Sequence, residues 1–156
     1  MLQKGVFRYY LVYFGEETAK LLQPMSFQAI EMILSRQLAD SLSVPVFLVD
    51  PEGNLLFYNI PAEAILGKKF EDTGPMPVKV WGTTFSPHKE DGSPIPPKEL
   101  PLVQTINSQV PAHGSFWIEG LDGHSTNISV TSIPIIGRSG KFCGAMAIFW
   151  NNKQGL

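Results

Sequence analysis

The sequence predicts an α+β domain, in which an antiparallel sheet is covered on one face by helices drawn from a single stretch of chain. Short apolar runs bounded by turn residues stand at both ends of the region 44–150, which is the signature of strands. Eight of the 13 prolines lie between residues 74 and 114, so the middle cannot carry long regular elements. Strands first, an irregular helical middle and strands last is the segregated order of an α+β fold.

At 156 residues, with 44% hydrophobic and 17% charged side chains, the chain suits one domain plus an extension, with enough apolar mass for a core. The formal charge of −2 is far from the positive field that phosphate backbones require, so nucleic acid is excluded as a partner. The single cysteine, Cys143, makes no internal disulfide, in keeping with a reducing cytoplasm. The apolar run from Val6 to Phe14 is broken by Arg8 and is about half the ~20 residues that span a bilayer. No membrane anchor and no clean signal peptide are expected.

The elements follow in order. Residues 1–23 carry no motif and read as a strand or short helix. From Ser26, a suitable N-cap, Phe27, Ile30, Leu34, Leu38 and Leu42 recur in steps of three and four along one face of an amphipathic helix of about four turns. That stripe needs cover, either from its own domain or from the same helix of a second chain. Pro45–Val49 is a buried-strand run closed by the Asp50-Pro51-Glu52-Gly53-Asn54 turn, and Leu55–Tyr58 returns as its hairpin partner. Pro61–Leu66 is a short helix stopped by Gly67, with Asn59 placed to cap it. Within the proline-rich middle, Glu99–Ser108 is the best helix. Strands follow at Ser115–Glu119, at Ser125–Pro134 beyond the Leu121-Asp122-Gly123-His124 turn, and at Lys141–Trp150 beyond Gly137-Arg138-Ser139-Gly140.

Four stretches taken in this order resemble the PAS domain, the small sensory module of signalling proteins. They are Val44–Gly53 at the opening hairpin, Leu56–Glu63 running from strand into helix, Asp91–Leu102, which looks like an insertion of one bacterial PAS subgroup, and the block Trp117–Phe149. The resemblance covers roughly Val44 to Trp150. It divides the chain into a 1–43 extension with the amphipathic helix, a 44–150 domain and a 151–156 tail. It implies a five-stranded antiparallel sheet whose inner face and covering helices enclose a small cavity, often holding a ligand. It also implies that the outer sheet face and the flanking N-terminal helix serve dimerisation and signal relay, so Phe27, Ile30, Leu34 and Leu38 become the expected homodimer interface.

The residue types then narrow the chemistry. A photoactive flavin variant of the family would need a cysteine in an Asn-Cys-Arg-Phe-Leu motif after the first helix, where this chain reads Ala64-Ile65-Leu66-Gly67-Lys68-Lys69-Phe70. Haem would need an axial histidine in the middle, and His88, between Pro87 and Lys89, is the one candidate. His113 and His124 sit at turn-like positions, and with one cysteine no zinc pattern forms; no metal site is expected. No Gly-x-Ser-x-Gly elbow and no phosphate-cradling loop is present, so no catalytic residues are assigned. Asn127-Ile128-Ser129 fits the glycosylation triplet by chance in a mid-strand position.

What remains is an apolar pocket. Trp81, Phe85, Trp117 and Phe149 are the large rings that either line it or fill the core. The sequence thus reads as a stand-alone sensory domain, a homodimer that takes a small apolar or amphiphilic molecule of unknown identity. Its output passes to a signalling partner protein through a shift of residues 74–114. The alternatives are a pure protein-interaction module with a filled core and a haem-binding gas or redox sensor.

Overall fold

The structure, a computed structural model, describes residues 30–152. In chain order it contains α1 (Ile30–Ser41), β1 (Val46–Val49), β2 (Leu55–Tyr58), α2 (Ile60–Leu66), α3 (Phe70–Thr73), α4 (Val78–Thr84), a 3-10 turn (Pro97–Glu99), α5 (Pro101–Ser108), β3 (Ala112–Glu119), β4 (Ser125–Ile136), a second 3-10 turn (Arg138–Gly140) and β5 (Phe142–Asn151). The strands form one antiparallel sheet in the order β2-β1-β5-β4-β3. This is the α+β architecture the sequence predicts.

Turn chemistry places the first hairpin. Asp50 accepts the backbone N–H groups of Glu52 (3.0 Å) and Asn54 (2.8 Å), and Gly53 supplies the positive φ of 88° that the turn needs. Asn59 does more than cap α2. Its Oδ1 accepts from Ala62 N (3.2 Å) and Val46 N (2.9 Å), while Nδ2 donates to the carbonyls of Ala39 (2.8 Å) and Val44 (2.9 Å). One buried amide therefore joins the end of α1, the start of β1 and the start of α2.

Several boundaries differ from the sequence expectation. The helix expected over Glu99–Ser108 is broken at Leu100, whose extended ψ of 134° is what the following Pro101 imposes. β3 begins at Ala112 rather than Ser115, and β4 continues through Pro134 to Ile136. Pro134 is tolerated because β3 pairs with β4 no further than Ser132, leaving β4 a free edge there.

The helical flank covers the inner face of the sheet, and α1 covers part of the other face. Phe47 and Val49 of β1 point into a core shared with α2, α4 and α5, while Val46 and Leu48 point the other way, into a cluster with Met32 and Ala39 of α1. Alternation on a strand buried on both sides explains why all four β1 residues are inaccessible. The α1 helix leaves its apolar stripe uncovered by its own domain. It docks through Met32 and Ala39, with the Arg36 guanidinium 4.7 Å from the centre of the Phe57 ring. Ile30, Leu34 and Leu38, on the opposite side, remain 64%, 56% and 54% exposed, and Phe27 lies outside the described residues. No helix among the described residues is long and apolar enough to cross a membrane.

Candidate functional site: an apolar cavity under the sheet

Between the inner sheet face and the helical flank lies a cavity of about 80 Å³ lined entirely by apolar residues. Each wall has a local cause. Trp81 of α4 is held by its indole N–H, which donates to the carbonyl of Gly53 in the first turn (2.8 Å), and its ring meets Phe47 edge to face at 5.3 Å. Phe85 closes the end of α4, and its carbonyl accepts the N–H of Glu119 (2.9 Å), so it is moored to β3. Phe149 of β5 stands opposite Val130 of β4, and Ala147, two residues earlier on the same face, is too small to fill the space beside it.

The fourth wall is α5. Thr105 and Ser132 are fully buried with their hydroxyls bonded to each other, Thr105 also donates to the carbonyl of Ser132 (3.4 Å), and the Ser132 hydroxyl is 3.1 Å from the carbonyl of Pro101. This polar clasp ties α5 to β4 and leaves Leu100, Pro101 and Leu102 facing the cavity. Gly114 is required under Pro101, because a Cβ there would come within 2.9 Å of its ring. With an almost wholly apolar lining, the cavity offers an occupant chiefly dispersion and desolvation.

Of the rings the sequence singles out, Trp81, Phe85 and Phe149 border this cavity; Trp117 does not. β3 places Phe116 and Ile118 inward, so Trp117 belongs to the other face with Ser115 and Glu119. A signal for this was present: His113, Ser115 and Glu119 share the parity of Trp117, marking that face as the polar one. His88, the candidate haem ligand, does not line the cavity either. It borders a surface cleft, with Nδ1 2.7 Å from the carbonyl oxygen of Ser86. Cys143 is buried in the cluster beneath α1, on the face of the sheet away from the cavity. No cluster of metal-ligating side chains occurs among the described residues.

Titratable groups near the core are few. Tyr58 is fully buried, its hydroxyl donating to the carbonyl of Lys68 (3.1 Å) and lying 2.9 Å from the Thr73 hydroxyl. Burial pushes its phenol above the ordinary value, against the opposing effect of the Thr73 hydrogen bond. On the surface, the backbone N–H of His124 holds the Asp122 carboxyl below the usual carboxylate range.

No protein-family model and no curated protein matches the chain. Solved structures do. A PAS domain from Colwellia psychrerythraea aligns over 80% of this chain and 98% of its own at 18% identity, with a TM-score of 0.57. The LOV protein of Rhodobacter sphaeroides aligns over 81% and 70% at 12% identity, with a TM-score of 0.63. The PAS domain of BvgS from Bordetella pertussis aligns over 78% and 84% at 14% identity, with a TM-score of 0.51. The chain has the PAS fold.

Proposed function

We propose that this chain is a non-catalytic sensory domain of the cytoplasm that binds a small apolar or amphiphilic molecule in its core and relays occupancy through protein contacts. The observation that carries the reading is the apolar cavity. A well-packed interior fills such space, and an unfilled one lined by Phe47, Trp81, Phe85 and Phe149 forfeits dispersion energy that an apolar occupant would restore. Occupancy acts on the segment 74–114, because α4, α5 and the loop between them form the movable side of the cavity, and a ligand shifts such an equilibrium by binding one arrangement better.

The relay surface is α1. Its exposed row of Ile30, Leu34 and Leu38 faces away from the sheet it packs on, and Ile133 and Trp150 add exposed apolar surface. A second copy of the chain, docking helix against helix, covers that row. The domain division of 1–43, 44–150 and 151–156 is retained in this reading, with the first segment as the relay arm. The same exposed row favours a second reading, a pure interaction module whose core never admits a ligand.

Native mass spectrometry and the absorbance spectrum of freshly purified protein test the ligand reading, together with Trp81 fluorescence during a 1-hexanol titration. An added mass, or a saturable fluorescence change that Trp81→Phe abolishes, supports it. A bare mass with no fluorescence response refutes it and leaves the interaction module.

A further inference from the structure

β3 lies at one edge of the sheet, and the described residues pair its outer margin only towards its C-terminal end. Trp117 exchanges both backbone hydrogen bonds with His88 at 2.9 Å each, and Glu119 N donates to the carbonyl of Phe85 (2.9 Å). The backbone groups of Trp117 therefore face away from β4, and by the period of two those of Ser115 and His113 do the same. Among the described residues no backbone group pairs with either on that side, and both are exposed. An open edge of this kind is a template for a further strand.

The rings at this margin are incompletely covered on both faces of the sheet. Phe116 on the inner face and Trp117 on the outer one are each half-buried, and α1 packs against β1, β4 and β5. The start of α1 lies at the same end of the sheet as the open half of β3. Glu31 accepts the N–H of Arg138 (3.3 Å), two residues beyond the end of β4, and β3 begins at Ala112 opposite Ser132 of β4.

We propose that the open half of β3 receives this chain's own residues 6–14 as a sixth strand. Seven of the nine residues Val6–Phe14 are Val, Tyr or Phe, the types that strands favour. In an extended conformation Phe7, Tyr9, Leu11 and Tyr13 form one apolar row, and Arg8 lies in the other. Added beside His113 and Ser115, such a strand sets one row next to Trp117 and the other next to Phe116, so both half-covered rings gain cross-strand neighbours. Reach is not limiting. Residues 15–29 span up to about 50 Å when extended, whereas the stretch of β4 from Ser132 to its end is about 13 Å. The tether also decides between occupants. A strand joined by such a linker meets the edge at an effective concentration on the order of mM, which a second copy at micromolar protein does not match. The inference is independent of the ligand reading above.

Hydrogen exchange of the full chain, read amide by amide by NMR at two protein concentrations about tenfold apart, tests the proposal. The amides of His113 and Ser115 should exchange at least about tenfold more slowly than in an unstructured peptide, and equally so at both concentrations. Tyr10→Pro and Leu11→Pro between them remove an N–H of either parity, so at least one of the two should speed both amides about tenfold. The amides of Asn59 and Thr105 should keep their wild-type protection in these variants, which shows that the domain remains folded. Fast exchange of His113 and Ser115 in the wild type overturns the proposal, as does protection that neither proline variant lowers. Protection that appears only at the higher concentration overturns it too, since that is the mark of a second copy paired edge to edge.

Discussion

Replacing Asn59 by alanine should be among the most damaging single changes outside the aromatic core, and the structure gives its size. The side chain is 1% exposed, and its four hydrogen bonds of 3.2 Å or shorter tie α1, β1, α2 and the link between α1 and β1: N–H of Val46 and Ala62, C=O of Ala39 and Val44. Loss of the helix cap alone costs about 1 kcal/mol. The other three groups lose a buried partner, at about 1–3 kcal/mol each where water cannot replace it. The Ala39 carbonyl keeps the N–H of Leu42 (3.2 Å) and Val44 is 38% exposed and regains water, so one such penalty is the fair count, for a total of about 3 kcal/mol. A urea titration followed by circular dichroism reads this directly. With m of about 2 kcal/mol/M the midpoint should fall by about 1.5 M. Asn59→Ser, which keeps a capping oxygen, should recover about 1 kcal/mol of the loss. A midpoint shift under about 0.5 M for Asn59→Ala, equal to ~1 kcal/mol, would show that the three elements are not joined through this amide.

Three further outcomes are expected. Leu34→Glu with Leu38→Glu should yield a folded monomer whose thermal midpoint is nearly unchanged, since both positions are exposed on α1; light scattering that still reports a dimer removes this helix as the interface. Ala147→Val should place two methyl groups in the cavity, raise stability by about 1 kcal/mol in chemical denaturation and weaken 1-hexanol binding; destabilisation would mean that the space is not available. For Tyr58 the folded-state phenol is raised, so the contribution is complete below the unfolded value of about 10 and is lost as pH rises through the folded one; wild type should lose stability above about pH 10 more steeply than Tyr58→Phe in a denaturation series.

Much of the architecture was legible in the residues because the signals are local. The Asp50–Asn54 turn, the Asn59 cap and the Gly67 stop each depend on atoms within a few positions along the chain, and each is realised where expected. Asn59 shows the boundary of that legibility. Its cap to Ala62 lies three residues away, whereas its bonds to Ala39 and Val46 span 20 and 13 residues and carry no local signature. The Thr105–Ser132 clasp, 27 residues apart, was invisible for the same reason.

The composition and spacing alone determined the α+β class, the sheet-helix-sheet order and the presence of an apolar stripe on the first helix. Only the tertiary structure decided which side of that helix docks, which ring of Phe116 and Trp117 faces inward, and that a void remains among the aromatics. The physical reason is shared by all three. A helix apolar on two sides, or a strand with adjacent aromatics, has two solutions of similar burial, and the choice falls to a close fit with residues distant in sequence. Ala39 is small enough to bring α1 against the sheet with its carbonyl on Asn59, and the pairing of Trp117 with Asn127 sets the parity of β3.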